Sequence, residues 1–327
     1  MSNPEFSTGE ISNASERAKH FKVIVTNFPA TDFPIGINLL DIWNNCNPRI
    51  RAYIDNVAPA DSNYDKFIAR INPDTWGDTR LYGARCTWFD ISKHSLDFQF
   101  GRFNTGNMSG TNDDKAKSID IQFTCLYQTP PKVVVWLTGL DSDCTRNMRL
   151  DTSAENITSD GFELTVNTWG DSIIYNATVS WISISSGNPL MTAGRLVTPY
   201  TGPSSGFQQK IIFDKPFKRV PHVMAALNKL DISNGANLRI AAYPKDITPQ
   251  GMTLAIDTWY DSVIYSCGAG YIAIDDAPAS SKSVRNLVRR KTTNNDTWGV
   301  SRELKALDTL KMVEGVLEAT FDSNIYA

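Results

Sequence analysis

The chain has 327 residues, 41% hydrophobic and 20% charged, which is enough apolar material for a sizeable core and long for one small domain. A net charge of −3 gives no electrostatic reason to expect nucleic acid or an anionic membrane as a partner. No apolar run reaches the ~18 residues of a membrane span, so membrane insertion is not expected either. The opening stretch, "MSNPEFSTGEISNASERAKHFK", is polar and lacks the apolar core of a signal peptide. The expected location is therefore cytoplasmic, or outside the cell by a non-classical route. Cys46, Cys86, Cys125, Cys144 and Cys267 form no CxxC pair and no metal-ligand spacing, and their odd number without a signal predicts free buried thiols.

The first element in chain order is the apolar strand "FPIGINLL", which ends at Leu40 and runs into Asp41. Asn47 and Arg49 follow as an N-x-R triplet, and "DTWGDTRLYGARCTWF" at 74–89 places Tyr82 six residues after Trp76. The same order then returns. "KVVVWLTGL" leads to Leu140 and Asp141, to Asn147 and Arg149, and to "NTWGDSIIYNATVSWI" with Trp169 and Tyr175. "HVMAALNKL" leads to Leu230 and Asp231, to Asn237 and Arg239, and to "DTWYDSVIYSCGAGYI" with Trp259 and Tyr265. Each arginine stands eight residues after its L-D aspartate. It precedes the tryptophan by twenty residues in the second and third passages and by twenty-seven in the first. The extra seven residues sit around "APADSNYD", a stretch of loop composition. After each tyrosine every second residue is apolar, as in Ala177, Val179 and Trp181, and that period marks a half-buried strand. "DTR", "DSI" and "YDS" supply turns between antiparallel strands. Each passage reads as a small β-sandwich, and a repeat of this kind dictates the fold.

After Asp276 the pattern stops. "APASSKSVRNLVRRKTTNN" reads as a solvated linker despite its basic cluster, Arg289, Arg290 and Lys291. From Ser301 the spacing of Leu304, Leu307, Leu310 and Leu317 predicts an amphipathic helix, which packs on its own domain or offers a homo-oligomer contact. No catalytic constellation is visible. "GPSSG" lacks the following helix of a nucleophile elbow, "GAGYIA" lies inside an alternating strand, and His20, His94 and His222 do not recur between passages. Neither a metal nor another cofactor is expected, and the chain is not expected to be an enzyme.

The ordered set L-T-x-L-D, N-x-R, I-T-x-x-G-F, T-W-x-D-[ST]-x-[IL]-Y and S-W-I resembles the H-type lectin domain family. The resemblance spans most of residues 20 to 275, in three copies, and is strongest in the second and third. It implies a six-stranded antiparallel sandwich that trimerises, with sugar held in clefts between neighbours. It also implies that the N-x-R arginine reaches vicinal hydroxyls of galactose-type sugars. The T-W tryptophan, the residue after it and the strand tyrosine would wall the cleft. Those positions here are Arg49, Trp76 and Tyr82; Arg149, Trp169, Gly170 and Tyr175; and Arg239, Trp259, Tyr260 and Tyr265. The family's G-x-D loop has a partial counterpart in Gly110 and Asn112 of the second copy and none in the first, while the third reads "YTGPSSGF" there. Such a division suits a saccharide, which offers hydroxyl edges to a multidentate donor and an apolar face to an aromatic ring. The bland alternatives stay open: aromatics at strand spacing also build cores, and each arginine could bridge the L-D aspartate of its own copy.

The expected architecture is all-β, with three tandem six-stranded sandwiches packed as an intrachain pseudo-trimer and a C-terminal helix. The expected boundaries are 1–92, 93–187, 188–276 and a 277–327 tail. The expected function is that of a lectin for galactose- or N-acetylgalactosamine-type glycans. A scaffold that keeps the sandwiches but has lost sugar binding is the rival.

Overall fold

The computed structural model describes residues 5–8, 10–11, 21–26, 33–60, 67–89, 97–106, 116–200, 206–275, 307–313 and 316–321. Two compact units result, Met1–Asp276 and Ala277–Ala327. The first unit is built of strands alone, six from each repeat. Repeat one gives β1 (Glu5–Ser7), β2 (Lys22–Thr26), β3 (Ile35–Ile42), β4 (Arg49–Pro59), β5 (Phe67–Asp74) and β6 (Leu81–Trp88). Repeat two gives β7 (Phe98–Asn104), β8 (Ala116–Gln122), β9 (Lys132–Ser142), β10 (Met148–Glu155), β11 (Gly161–Asn167) and β12 (Ile174–Ile184). Repeat three gives β13 (Met191–Val197), β14 (Gly206–Ile212), β15 (His222–Ile232), β16 (Leu238–Thr248), β17 (Gly251–Asp257) and β18 (Ile264–Ile274).

Within a repeat, the first, sixth and third strands pair as one half-sheet, and the second, fifth and fourth as another. Apolar residues alternate on the facing sides. In repeat two Phe162 of β11 meets Trp181 of β12 edge to face at 5.3 Å, and Phe123 lies 5.6 Å from Phe162, so aromatic rings fill the space between the halves. Neither half stops at the repeat boundary. The third strand of one repeat pairs with the fourth strand of another: β9 with β4, β15 with β10, and β3 with β16. Each of the three six-stranded sheets is thus half one repeat and half another, and the three repeats close into a ring.

The same residues make each seam. Register sets Arg49 opposite Asp141, Arg149 opposite Asp231, and Arg239 opposite Asp41. The asparagine of N-x-R accepts from the next repeat's backbone: Asn47 Oδ1 from Cys144 N at 3.0 Å, Asn147 from Asn234 at 3.0 Å, and Asn237 from Asn44 at 3.2 Å. At the centre β3, β9 and β15, the third strands of the repeats, touch one another. One equivalent position there holds Gly36, Trp136 and Ala226. A Cβ on Gly36 would come 2.3 Å from that of Ala226 and 2.9 Å from that of Trp136. One large side chain and two minimal ones fill a space that three copies of any single residue would underfill or overfill. Trp136 is fully buried, and its indole donates to Gly270 O of repeat three at 2.9 Å.

All five cysteines are free: Cys46, Cys86 and Cys267 are buried, but Cys125 and Cys144 are only half-buried. Burial pushes the thiols of Cys86 and Cys267 up to about 12. Among the described residues no group of three His, Cys, Asp or Glu is placed to hold a metal.

In the second unit the described part of the segment expected to be helical, 307–313 and 316–321, is strand, and 301–306 lie outside the described residues. Leu307–Val313 (β19) and Val316–Phe321 (β20) pair as antiparallel strands, with Leu310 opposite Ala319 and Met312 opposite Leu317. A short apolar run such as those at 307–313 and 316–321 fits a strand as well as a helical segment, and periodicity alone does not separate the two. The homo-oligomer contact assigned to that helix loses its basis.

Burial raises the pKa of the three seam aspartates, Asp41, Asp141 and Asp231, whereas the hydrogen bond from Arg149 holds Asp171 below the ordinary carboxylate range. The two classes carry opposite linkage. Asp231 contributes most below the unfolded-state pKa, and that contribution is lost as pH rises through its folded value. Asp171 contributes above the unfolded-state pKa and loses it as pH falls. The stability advantage of the parent over Asp231→Asn should therefore be larger at pH 4 than at pH 7, and that over Asp171→Asn larger at pH 7. Urea unfolding at the two pH values measures both. A second expectation concerns the ring. A chain lacking 188–276 leaves β3 and β10 as bare edges, so it should aggregate or associate rather than run as a folded monomer in size-exclusion chromatography with light scattering.

Candidate functional site

Each seam carries one copy of a shared constellation. The turn between the fifth and sixth strands, T-W-x-D-[ST], is pinned onto N-x-R by two hydroxyls. Thr168 Oγ1 donates to Arg149 O at 2.6 Å, and Thr75 and Thr258 do the same to Arg49 and Arg239. Thr79, Ser172 and Ser262 donate to the carbonyls of Asn47, Asn147 and Asn237 at 2.5–2.6 Å. This clamp explains the constant twenty-residue gap in repeats two and three. The extra length of repeat one is shared between longer strands, β4 with 11 residues against 8 in β10 and β5 with 8 against 7 in β11, and a longer connection, 60–66 against 156–160.

The clamp brings the arginine and tryptophan of one repeat together, and the seam adds the aspartate of the next. Arg149 Nη1 donates to Asp171 Oδ1 at 2.6 Å and to Ser172 Oγ at 3.2 Å, while its Nε faces Asp231 Oδ1 at 3.5 Å. Arg239 repeats this with Asp261 at 2.6 Å, Ser262 at 3.3 Å and Asp41 at 3.4 Å. Arg49 pairs with Asp78 and, at 3.2 Å, with Asp141. The partner aspartate therefore belongs to the neighbouring repeat, not to the arginine's own. A single-sequence pattern shows that both residues recur but not which copies meet. The Nε contacts are ion pairs without hydrogen-bond alignment: Asp41 Oδ1, Asp141 Oδ1 and Arg239 Nε make none. Each guanidinium is nearly buried, and its contacts to the two carboxylates run through Nη1 and Nε.

Trp76, Trp169 and Trp259 are all half-buried, each at the rim of a seam. The following residue adopts a left-handed backbone in every repeat: Gly77 at φ 66°, Gly170 at 65° and Tyr260 at 56°. Glycine takes this conformation freely, and it also leaves room, since a Cβ on Gly77 or Gly170 would come 2.7 or 2.8 Å from the arginine's Nη1. Tyr260 adopts it against the preference of an L side chain. Its ring lies 5.1 Å from the Arg239 guanidinium carbon and is 89% exposed.

The strand tyrosines reach the clefts from the neighbouring repeat. Tyr82, Tyr175 and Tyr265 each stand at a bulge beside the seam aspartate, between Leu81 and Gly83, Ile174 and Asn176, and Ile264 and Ser266. Tyr175 thus belongs with Arg49 and Trp76, Tyr265 with Arg149 and Trp169, and Tyr82 with Arg239 and Trp259. Their partners differ: the Tyr175 hydroxyl donates to Asp143 at 2.9 Å, Tyr265 stacks on Tyr200 at 6.2 Å, and the Arg80 guanidinium lies 5.1 Å over Tyr82. Gly110 and Asn112 lie outside the described residues.

Sequence reasoning misses two groups here. The aspartates Asp78, Asp171 and Asp261 recur in every copy, but their setting reads as a turn and nothing more. Arg51 and Lys229 do not recur, so no repeat argument could find them, yet they lie 5.7 Å over Trp76 and 5.4 Å over Trp169. Together the groups at each seam offer a fixed donor edge beside an aromatic face, with carboxylate acceptors at hand. That is the equipment for gripping a polyhydroxylated ring.

Comparison with known proteins identifies the family of two of the repeats. The profile of the H-type lectin domain matches residues 118–184 and 208–274, which run from β8 to β12 and from β14 to β18. A Fuscovulum blasticum protein described as ATP synthase subunits region ORF 7 is 36% identical over 81 residues, 25% of this chain and 70% of that one. Two structures of discoidin II from Dictyostelium discoideum, recombinant and wild-type, are each 21% identical. They cover 51% and 50% of this chain and 78% and 76% of their own, at TM-scores of 0.25 and 0.24. With its domain matched twice and its motifs written three times, the chain belongs to the H-type lectin domain family of carbohydrate-binding proteins.

Proposed function

We propose that this protein is a non-enzymatic lectin that binds galactose- and N-acetylgalactosamine-type glycans in the three clefts between its repeats. One observation carries the reading: at every seam an arginine is fixed between two carboxylates with an indole at its side. Orienting a guanidinium costs entropy that the fold has already met, so its free edge can donate to two adjacent hydroxyls without further ordering. The tryptophan offers the flat surface that the apolar side of a galactose-type ring presents. A single site of this kind is weak, and a millimolar site is worth about −4 kcal/mol. Three on one rigid body gain ~10²–10⁴ in avidity on a clustered glycan surface, which would make the protein an agglutinin.

The scaffold reading has an observation of its own. The arginines hold the ring together through the seam aspartates, and that duty alone accounts for their recurrence. Arg149→Lys cannot separate the readings, because the lost fork ties Asp171 to Asp231 whether or not sugar binds. Tyr260 can. It is almost fully exposed and strained by about 1 kcal/mol or more, so it contributes little to folding. Tyr260→Gly should leave the melting temperature unchanged or raised by a few degrees. The same change should weaken the response of the third cleft to galactose several-fold, read as quenching of tryptophan fluorescence and confirmed by calorimetry. No galactose binding by the normally folded parent protein would favour the scaffold, whereas unaltered binding in a normally folded Tyr260→Gly would take Tyr260 out of the third cleft.

A further inference from the structure

The three clefts differ in what covers the tryptophan. At the seam of repeats one and two, Arg51 of β4 lies 5.7 Å over Trp76 and 4.9 Å over Tyr53, with Asp74 as its carboxylate partner at 3.0 Å. At the seam of repeats two and three, Lys229 of β15 lies 5.4 Å over Trp169. Lys229 shares one carboxylate, Asp151, with Arg195, so two cations there face one anion. These cations come from opposite sides of the strand pair. Register sets Arg51 opposite Gly139, Asp151 opposite Lys229, and Ala241 opposite Leu39. The first seam therefore takes its cation from the arginine's own repeat, and the second from the neighbour. At the third seam both positions are apolar. No cation covers Trp259 among the described residues, and the ring over Arg239 is that of Tyr260.

We infer that Arg51 and Lys229 divide the clefts by ligand charge. The clefts at Trp76 and Trp169 select saccharides bearing an anion, a sulfate ester or a carboxylate, and the cleft at Trp259 takes neutral ones. This rests on the lectin reading above and names the ligand class of its sites. The physical reason is short. A cation over the indole attracts an anionic substituent on a sugar held against that ring, and a charge-assisted hydrogen bond is worth roughly twice a neutral one. Arginine and lysine at unrelated positions reach the same place over the ring, which a role in folding alone does not require. Neither belongs to the repeated motif.

The test reads the three clefts separately, from the indole N–H signals of Trp76, Trp169 and Trp259 in nitrogen-15 NMR spectra, titrated with galactose, galactose 6-sulfate and galacturonate. The quantity measured is the preference for the charged sugar over galactose at each indole. The expected preference is about tenfold at Trp76 and Trp169, declining with added salt, and none at Trp259. Arg51→Gln should abolish the preference at Trp76 alone, and Lys229→Gln that at Trp169 alone. Arg51 is 56% exposed, so its variant should fold. Asp151→Asn, which frees Lys229 and Arg195, should raise the preference at Trp169. Equal preference at all three indoles, or preference that survives both glutamine variants, overturns the inference. Response to galactose but not to either anionic sugar at Trp76 and Trp169 overturns it and leaves the lectin reading standing. Silence of all three indoles toward every sugar overturns both.

Discussion

The pairing of the third strand of each repeat with the fourth strand of another is the constraint on which the rest depends. A half-sheet of three strands has two edges, and a repeat taken alone would expose one from each half along its seam. Pairing across repeats removes those edges and sets a register. Because strand pairing fixes which residues face each other, it alone places Arg149 opposite Asp231 and Asn147 beside Asn234. The cleft is a consequence of the seam. The hydroxyl clamp then holds the tryptophan turn against the arginine that the seam has fixed, so a disturbance of register would dismantle all three groups together.

Writing three repeats into one chain permits what identical subunits cannot. Gly36, Trp136 and Ala226 meet at the centre, and their unequal volumes satisfy a space that a symmetric assembly would fill with three equal side chains. The clefts have diverged in the same way. Glycine after the tryptophan lets the arginine lie close in two of them, whereas Tyr260 sits on the arginine in the third. Covalent linkage also raises the effective concentration of each repeat for its neighbours, so seam contacts that are modest one by one suffice.

Much of this was legible in the sequence, and the boundary of legibility has a physical origin. Alternation after Tyr175 reports that a strand has two faces, and the constant N-x-R to T-W gap reports that two elements pack together. Both hold in the structure. Neither states which copy supplies a strand's partner, because three near-identical repeats offer the same local pattern for pairing within or between them. Hence the seam aspartate was sought in the arginine's own repeat and found in the next. The region from Ser301 misleads for another reason: a short apolar run does not by itself distinguish a helical segment from a strand. Arg51 and Lys229 were beyond any motif, since each occurs once and acquires meaning only over a ring.

The seam arginines also resolve an apparent conflict between holding the ring and holding a ligand. A lone guanidinium would draw anions from solution. Here each lies against two carboxylates, one exposed and one nearly buried, and the local charge is offset before any ligand arrives. What remains is a rigid set of N–H donors with little net attraction for charge, suited to hydroxyl groups that carry none. The desolvation that raises the seam aspartates is the cost of that arrangement, and Asp171 and Asp261, held low by hydrogen bonds from Arg149 and Arg239, offset part of it. On the proposed reading, the structural bridge turns a cation into a hydroxyl-reading group. On the same reading, the charge preference of a cleft is set outside the repeated motif, by whichever side chain the fold places over the tryptophan.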